Sequence, residues 1–386
     1  MIHPARYAGA AVLVLVAGCA PTSPGPVPPP GPSWREVALP ASAAGRPEVR
    51  DITSCPGHGY AAGGYRAPDG TTTPALWSTV DGRTWRAVTV QPRSAYGPRH
   101  LLSTVACRGD TVVAVGSAPG GVHGNLRTNT WIGTAPGPLT EVPSAFELFG
   151  GPEQIGVGPL VAGTDGWLLG GARTDANGDA GAAVWTSADG VRFGLVDADP
   201  ALESDATGES VLTGVAAVPG GYVAVGSLVP ARNPVARQPL VWRSTDGRRW
   251  TREVVPHTGE DADVEAVLPY RSGLLALGVQ GNRFGTWLRA ADRWRRGIRF
   301  AALAGTNLPQ ITGLVAIGGT AFTVGSHGTR FRLWRSPDAY TWTELSMPVP
   351  VPAGGLGTAR LAALDGRLLL AAGGAGSLLW WAAAGG

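Results

Sequence analysis

Apolar runs of a few residues, each closed by Gly, Pro, Asp or Ser, succeed one another from Ser33 onward. The run Gly221-Tyr222-Val223-Ala224-Val225-Gly226-Ser227 is the clearest, and its counterparts are Gly59–Gly63, Asp110–Ser117, Gly166–Gly170, Gly273–Gly278, Ala321–Ser326 and Arg367–Gly373. Such segments, short and bounded by turn residues, read as strands. Each is preceded by another apolar strand, such as Leu212–Val218 or Ile311–Ile317, and followed by one that carries a tryptophan. The tryptophans are Trp77, Trp131, Trp185, Trp242, Trp287, Trp334 and Trp381, which gives seven repeats at steps of 45–57 residues.

Four short strands in each of seven such repeats predict an all-β fold, a seven-bladed β-propeller of four-stranded antiparallel blades spanning 33–386. The two ends fit that ring. Ser33-Trp34-Arg35-Glu36-Val37 looks like the fourth strand Thr341-Trp342-Thr343-Glu344-Leu345 but has no third strand before it, whereas the repeat over Leu356–Ala384 stops without a fourth. The expectation is that Trp34–Leu39 completes the last blade and closes the wheel.

Four repeats carry the same turn after their tryptophan. It reads Trp77-Ser78-Thr79-Val80-Asp81-Gly82-Arg83-Thr84-Trp85 in the first and Trp242-Arg243-Ser244-Thr245-Asp246-Gly247-Arg248-Arg249-Trp250 in the fourth, with Asp189-Gly190 and Asp338-Ala339 in the third and sixth. Asp and Ser/Thr accept backbone N–H bonds in a tight turn, and Gly supplies positive φ at little cost. Aromatic residues on both sides then pack across the hairpin. This pattern resembles the Asp-box, or BNR repeat, of sialidase-like β-propellers, and the resemblance implies that Asp81, Asp189, Asp246 and Asp338 are structural. Ala339 departs from the pattern, and repeats two and five have Thr134-Ala135-Pro136-Gly137 and Ala291-Asp292-Arg293-Trp294 instead. A sialidase of that superfamily would also carry an Arg-Ile-Pro motif near its first blade and would have six blades. Neither holds here, which argues against that activity.

Composition narrows the chemistry further. Of 386 residues 58 are Gly and 33 are Pro, as a turn-rich β protein requires, and every one of the 31 basic residues is Arg. Without Lys there is neither a P-loop nor a Schiff-base amine. The six His are scattered, with no His-Glu-x-x-His motif and no Gly-x-Ser-x-Gly elbow. The 28 acids nearly balance the bases, which speaks against a nucleic-acid surface. Residues 1–18 have a basic start and an apolar stretch too short to span a bilayer, the layout of an export signal. Val16-Ala17-Gly18-Cys19 resembles the lipobox of bacterial lipoproteins, which implies lipidation of Cys19 and an extracytoplasmic position on the cell membrane. The Pro-rich segment 20–32 then reads as an extended spacer.

Candidate sites follow from the expected faces. Loops joining second to third strands share one face with the connections between blades, and the Asp turns lie on the other. That first group is long in repeats one to four and short afterwards, which predicts a raised rim carrying Arg127, Arg173, Arg232 and Arg237, with Glu203, Asp205, Glu260 and Asp261 from the inter-blade segments. Arg66, His123, Tyr96, Phe146, Phe149, Glu153, Glu209 and Asp263 belong to the same rim. Cys55 and Cys107 end comparable first strands, so they form either a bridge between neighbouring blades or two separate buried thiols. Asp175-Ala176-Asn177-Gly178-Asp179 resembles the start of a calcium loop, but no acid closes the shell and Asn-Gly is a strong turn signal, so no metal is expected. The arginines between Arg243 and Arg299 read either as edge-blunting charge or as a basic patch for anionic head groups or wall polymers.

Together these features predict a membrane-tethered monomer without a cofactor, used as a non-catalytic scaffold for a protein or envelope glycan. The alternatives are a glycoside hydrolase on the same face and an assembly factor for a membrane complex.

Overall fold

The computed structural model describes residues 31–384 apart from 122, 176–177, 198, 304–307 and 375. Seven sheets form successive blades, antiparallel except for one added edge strand in blade 2, and the four blade strands of six of them run in sequence order from the innermost outward. The innermost strands are Arg46–Cys55, Leu101–Arg108, Gln154–Ala162, Gly208–Val218, Ala262–Tyr270, Gln310–Ile317 and Thr358–Leu364. Among the described residues, no helix is long and apolar enough to cross a membrane.

Blade 7 borrows its outer strand from the other end of the chain. Arg35–Val37 pairs antiparallel with Leu378–Ala383, in the register Arg35↔Trp381, Glu36↔Trp380 and Val37↔Leu379. Val37 enters the apolar cluster between blades 7 and 1 with Trp77 and Leu369, while Trp34 packs against the cluster between blades 6 and 7. The closing segment therefore joins two inter-blade cores.

Six tryptophans of the predicted period lie buried on third strands, but the seventh is displaced by one residue. Leu361, Leu370 and Trp380 lie side by side in blade 7 as Ile52, Ala61 and Trp77 do in blade 1. Trp380 is the buried equivalent. Trp381 faces the other side of the sheet, partly buried against the cluster between blades 7 and 1 and beneath the guanidinium groups of Arg35, Arg83 and Arg367. In blades 3, 4 and 5 the third-strand indole donates to the incoming connection, Trp185 to Leu148 O, Trp242 to Ala201 O and Trp287 to Pro256 O.

The four Asp turns share one hydrogen-bond set. The hydroxyl of Thr79, Ser187, Ser244 or Ser336 accepts the N–H three residues on, at 2.8–2.9 Å. The Asp Oδ1 accepts the next two N–H groups. Ala339 keeps the positive φ of 66° that glycine supplies in the other three. Blade 2 has a different edge: Val90–Gln91 pairs in parallel with its outer strand Leu139–Val142, so the chain leaving blade 1 adds a fifth strand to its neighbour.

Around the axis six of the seven innermost strands are bulged, all but that of blade 7, and in most blades a polar residue of the innermost strand reaches the next blade. Asp51 Oδ2 accepts Val105 N–H and Thr104 Oγ1–H, while Thr104 Oγ1 accepts Leu160 N–H. Thr213 donates to Val264 O, Glu265 accepts Ile311 N–H and Thr312 donates to Ala359 O. Thr358 donates to Val49 O and returns the series to blade 1. Gly158 and Pro159 occupy the bulge of blade 3, and among the described residues this belt has no side-chain bond from blade 3 to blade 4. There Ser210 Oγ accepts Ala182 N–H further out. Cys55 and Cys107 are joined in a disulfide with Cα atoms 5.9 Å apart, which adds a covalent link between blades 1 and 2.

Candidate functional site

The face bearing the second-to-third strand hairpins holds the rim residues, and most of its arginines are matched by an acid. Arg237 donates Nε and Nη2 to the two carboxylate oxygens of Asp261, at 2.9 and 2.8 Å, and Nη1 to Asp263. Burial raises the proton affinity of Asp261, but the Arg237 hydrogen bonds outweigh it and hold its pKa below the usual range. The Arg237 guanidinium is correspondingly stabilised in its charged form. Arg252 binds Asp205, whose pKa falls to about 2 through its hydrogen bonds from Thr207 and Arg252. Arg173 pairs with Glu153, Arg299 with Glu260 and Arg66 with Glu48. Arg232, Glu203 and His123 stand exposed.

Of the predicted candidates, then, the fold unites Arg237 with Asp261 and draws Arg173 and Glu203 to one cleft. It gives Asp205 and Glu260 arginine partners from elsewhere. The raised half of the rim is built from strands that continue upward, such as Thr111–Gly120 and Asn125–Thr134, more than from irregular loops. Asn177 lies outside the described residues, as does Cys19. Asp175 Oδ1 accepts Asp179 N–H at 3.0 Å within its turn. No group of three or more His, Cys, Asp or Glu among the described residues is placed to hold a metal.

Clefts open on this face between neighbouring blades. One, of about 350 Å³, lies between blades 2 and 3. Neutral polar side chains line it: Ser103, Ser117, Asn125, Thr128 and Gln154, with Phe146 and Ile155 and no charged group. Leu126 and Ile155 are each more than half exposed at its lip. Phe146 is positioned by Arg127, whose guanidinium carbon lies 3.9 Å from its ring centre and 5.8 Å from that of Tyr96. The Gln154 amide nitrogen and oxygen are both shielded, and neither has a hydrogen-bond partner among the described residues. An amide with both valences open beside an aromatic ring suits a ligand offering hydroxyls and an apolar face.

The wall behind this cleft is fixed by a buried carboxylate. Glu141 Oε2 accepts the N–H groups of Arg93 and Ser94 at 2.6 and 2.8 Å, and Oε1 accepts Ser94 Oγ–H and Asn129 Nδ2–H, both at 2.6 Å. Burial alone would raise its pKa, yet these bonds together lower it. The clamp holds the 93–97 connection, and with it Tyr96, against blade 2. Sequence reasoning missed Gln154 and Glu141, which stand alone in their own stretches.

The second cleft, of about 700 Å³ between blades 3 and 4, is acidic. Glu147, Glu153, Asp197, Asp199 and Glu203 line it with Arg173. Nearer the axis, burial raises the pKa of Asp263 and, with repulsion from Asp263, raises that of Glu265 well above its ordinary value.

No family model matches the chain. No characterised protein matches it at the level of sequence either. Solved structures do. The β-propeller domain of the trilobed protease from Pyrococcus furiosus, which has an open velcro topology, superposes with a TM-score of 0.51 at 7% identity, over 88% of this chain and 94% of that one. A puromycin-hydrolyzing peptidase of Mycobacterium tuberculosis gives 0.52 at 13% identity, over 90% of this chain and 53% of the peptidase. A Hadza microbial sialidase, Hz136, gives 0.47 at 11% identity, and the match spans 65% of its length. The likeness is one of fold. All else about the site rests on this chain's own residues.

Proposed function

We propose that the chain is a non-catalytic binding propeller, tethered to the outer face of the membrane through lipid on Cys19, that takes a neutral envelope glycan in the cleft between blades 2 and 3. The observation that carries this reading is the orphaned Gln154 amide beside Phe146 in a cleft lined by hydroxyls and amides and free of acids. Sugars present such pairs of polar edge and apolar face, and hydrolysis of a glycosidic bond needs a carboxyl pair that this cleft lacks. The four Asp turns, read as Asp-box repeats, hold the outer hairpins and take no part in binding.

The acidic cleft between blades 3 and 4 favours the alternative, a carbohydrate-active enzyme with Glu203 among its acids. The two readings separate in one experiment. Full-length protein in detergent is applied to a glycan array, and the best ligand is titrated against wild type, Phe146→Ala and Gln154→Ala. The proposal expects each substitution to weaken binding about tenfold with an unchanged melt, and expects the glycan to be recovered intact. Cleavage that Glu203→Gln abolishes would replace it with the enzyme reading. Release of the protein from membranes by Cys19→Ala tests the tether.

A further inference from the structure

The opposite face, where the Asp turns lie, carries a cleft of about 600 Å³ between blades 4 and 5. Arg243, Arg249, Arg271 and Arg289 line it, together with hydroxyl side chains such as Thr251 and Ser272. No Asp or Glu is among its lining residues. Arginines on the other face are largely paired with acids, but among the described residues Arg243, Arg249 and Arg271 form no ion pair. Arg271 Nη2 donates to Pro337 O at 2.7 Å, and Arg289 Nη2 to the exposed Asp292 at 2.6 Å. The Nε of Arg289 is shielded and has no partner.

Two local departures from the repeat create this concentration of charge. In four blades the position of Arg289 holds the Ser or Thr that caps an Asp turn, as the pairings Tyr222↔Ser244 and Leu274↔Arg289 make plain. Blade 5 has a tight Ala291-Asp292 hairpin instead, and the position vacated by the capping hydroxyl points a guanidinium into the cleft. The first turn of blade 5 is the second departure. Arg271 has φ of 52°, where the matching turns of blades 2 and 6 use Gly109 and Gly318 at 57° and 56° and that of blade 7 uses the shorter Asp365 at 46°. A bulky residue in the left-handed region is held against its own backbone preference, and retained strain of this kind points toward a use for the side chain.

We infer that this cleft is a binding site for a phosphate-type oxyanion carried on a larger molecule. Guanidinium groups match phosphate oxygens two by two, and a cleft lined by four arginines, of which only Arg289 has a carboxylate partner, the exposed Asp292, favours repeated or multiply charged oxyanions. The site is independent of the glycan reading, because it lies on the other face and shares no residue with it.

The test uses full-length protein in detergent and two probes, inorganic tripolyphosphate and vesicles of phosphatidylglycerol with phosphatidylcholine vesicles as reference. Arg271→Gly restores the residue that blades 2 and 6 carry, so its melting temperature should equal or exceed that of wild type while tripolyphosphate binding falls about tenfold. Arg243→Gln, on an exposed strand position, should weaken binding similarly, and Arg295→Gln on the outer strand of blade 5 should leave it unchanged. Binding should also weaken as salt is raised. Loss of tripolyphosphate binding in the first two variants supports the site, and arginine-dependent capture of phosphatidylglycerol vesicles alone assigns it to a lipid headgroup. Binding of neither probe, or equal binding by wild type, Arg271→Gly and Arg243→Gln, overturns it. Phe146→Ala should bind tripolyphosphate as wild type does, so failure here is distinct from failure of glycan binding.

Discussion

Removing the Cys55–Cys107 bridge by replacing both residues with Ala should lower stability by about 4 kcal/mol. The figure comes from the loop that the bridge closes. A sequence separation of 52 in the chain-entropy relation gives a loss of about 14 cal/mol/K from the unfolded chain, or about 4 kcal/mol at room temperature. The Cα separation of 5.9 Å falls inside the range of about 4.4–6.8 Å usual for disulfides, so native geometry takes little back. For some 350 folded residues an unfolding entropy of about 2.1 cal/mol/K per residue converts this into a fall of about 5–6 °C in Tm. The assay is a thermal melt of wild type, both single Ala variants and the double variant, each with and without reductant. Either single substitution already opens the bridge, so each should lose most of what the double variant loses, and reductant should bring wild type toward them. A double variant melting within about 1 °C of wild type, or single effects that simply add, would refute the reasoning.

Val37→Asp places a carboxylate in the apolar cluster between blades 7 and 1 and should cost at least about 3 kcal/mol, seen as a lower melt and faster proteolysis near the N-terminal strand. Glu141→Ala removes the acceptor of four hydrogen bonds and should destabilise by about 3 kcal/mol, with proteolytic cutting moving to residues 93–97. Acid should act in two stages. Burial lowers the pKa of His100 below 6.5, so its share of stability is complete above that pH and is lost as pH falls beneath it. Asp189 and Asp205, at about 2 when folded against 3.8 otherwise, lose theirs as pH falls from the upper value to the lower. A melting temperature flat from pH 7 to pH 2 would contradict both stages.

The wheel was legible in the sequence because its signals are local. A Trp-hydroxyl-Asp-Gly turn and a Gly-bounded apolar run each report on a single hairpin, and seven such reports set the blade number. Trp381 was misplaced by one residue for a physical reason: in the doublet Trp380-Trp381 only pairing with Leu370 decides which ring takes the position of Trp77. The rim was legible as a list of residues but not as a set of interactions. Arg237 meets Asp261 and Asp263 across a blade boundary, and no spacing encodes that meeting. The axial belt left a faint trace, a polar residue such as Thr104, Thr213 or Thr312 inside an otherwise apolar first strand. Bulges turn these residues toward the neighbouring blade, and a bulge has no dependable sequence mark. The arginine-lined cleft joins Arg271, on a turn, to Arg243 and Arg289 on third strands, a convergence made only by the ring.

The borrowed strand also has a consequence for how the protein is made. Arg35–Val37 is synthesised first of the described strands and its partner Leu378–Ala383 last, so the wheel cannot close until all seven blades have been made. Six blades can collapse in order of appearance, whereas the closing pair joins strands separated by all seven blades and should form late and slowly. Until Leu378–Ala383 has been made, the first segment has no blade to complete.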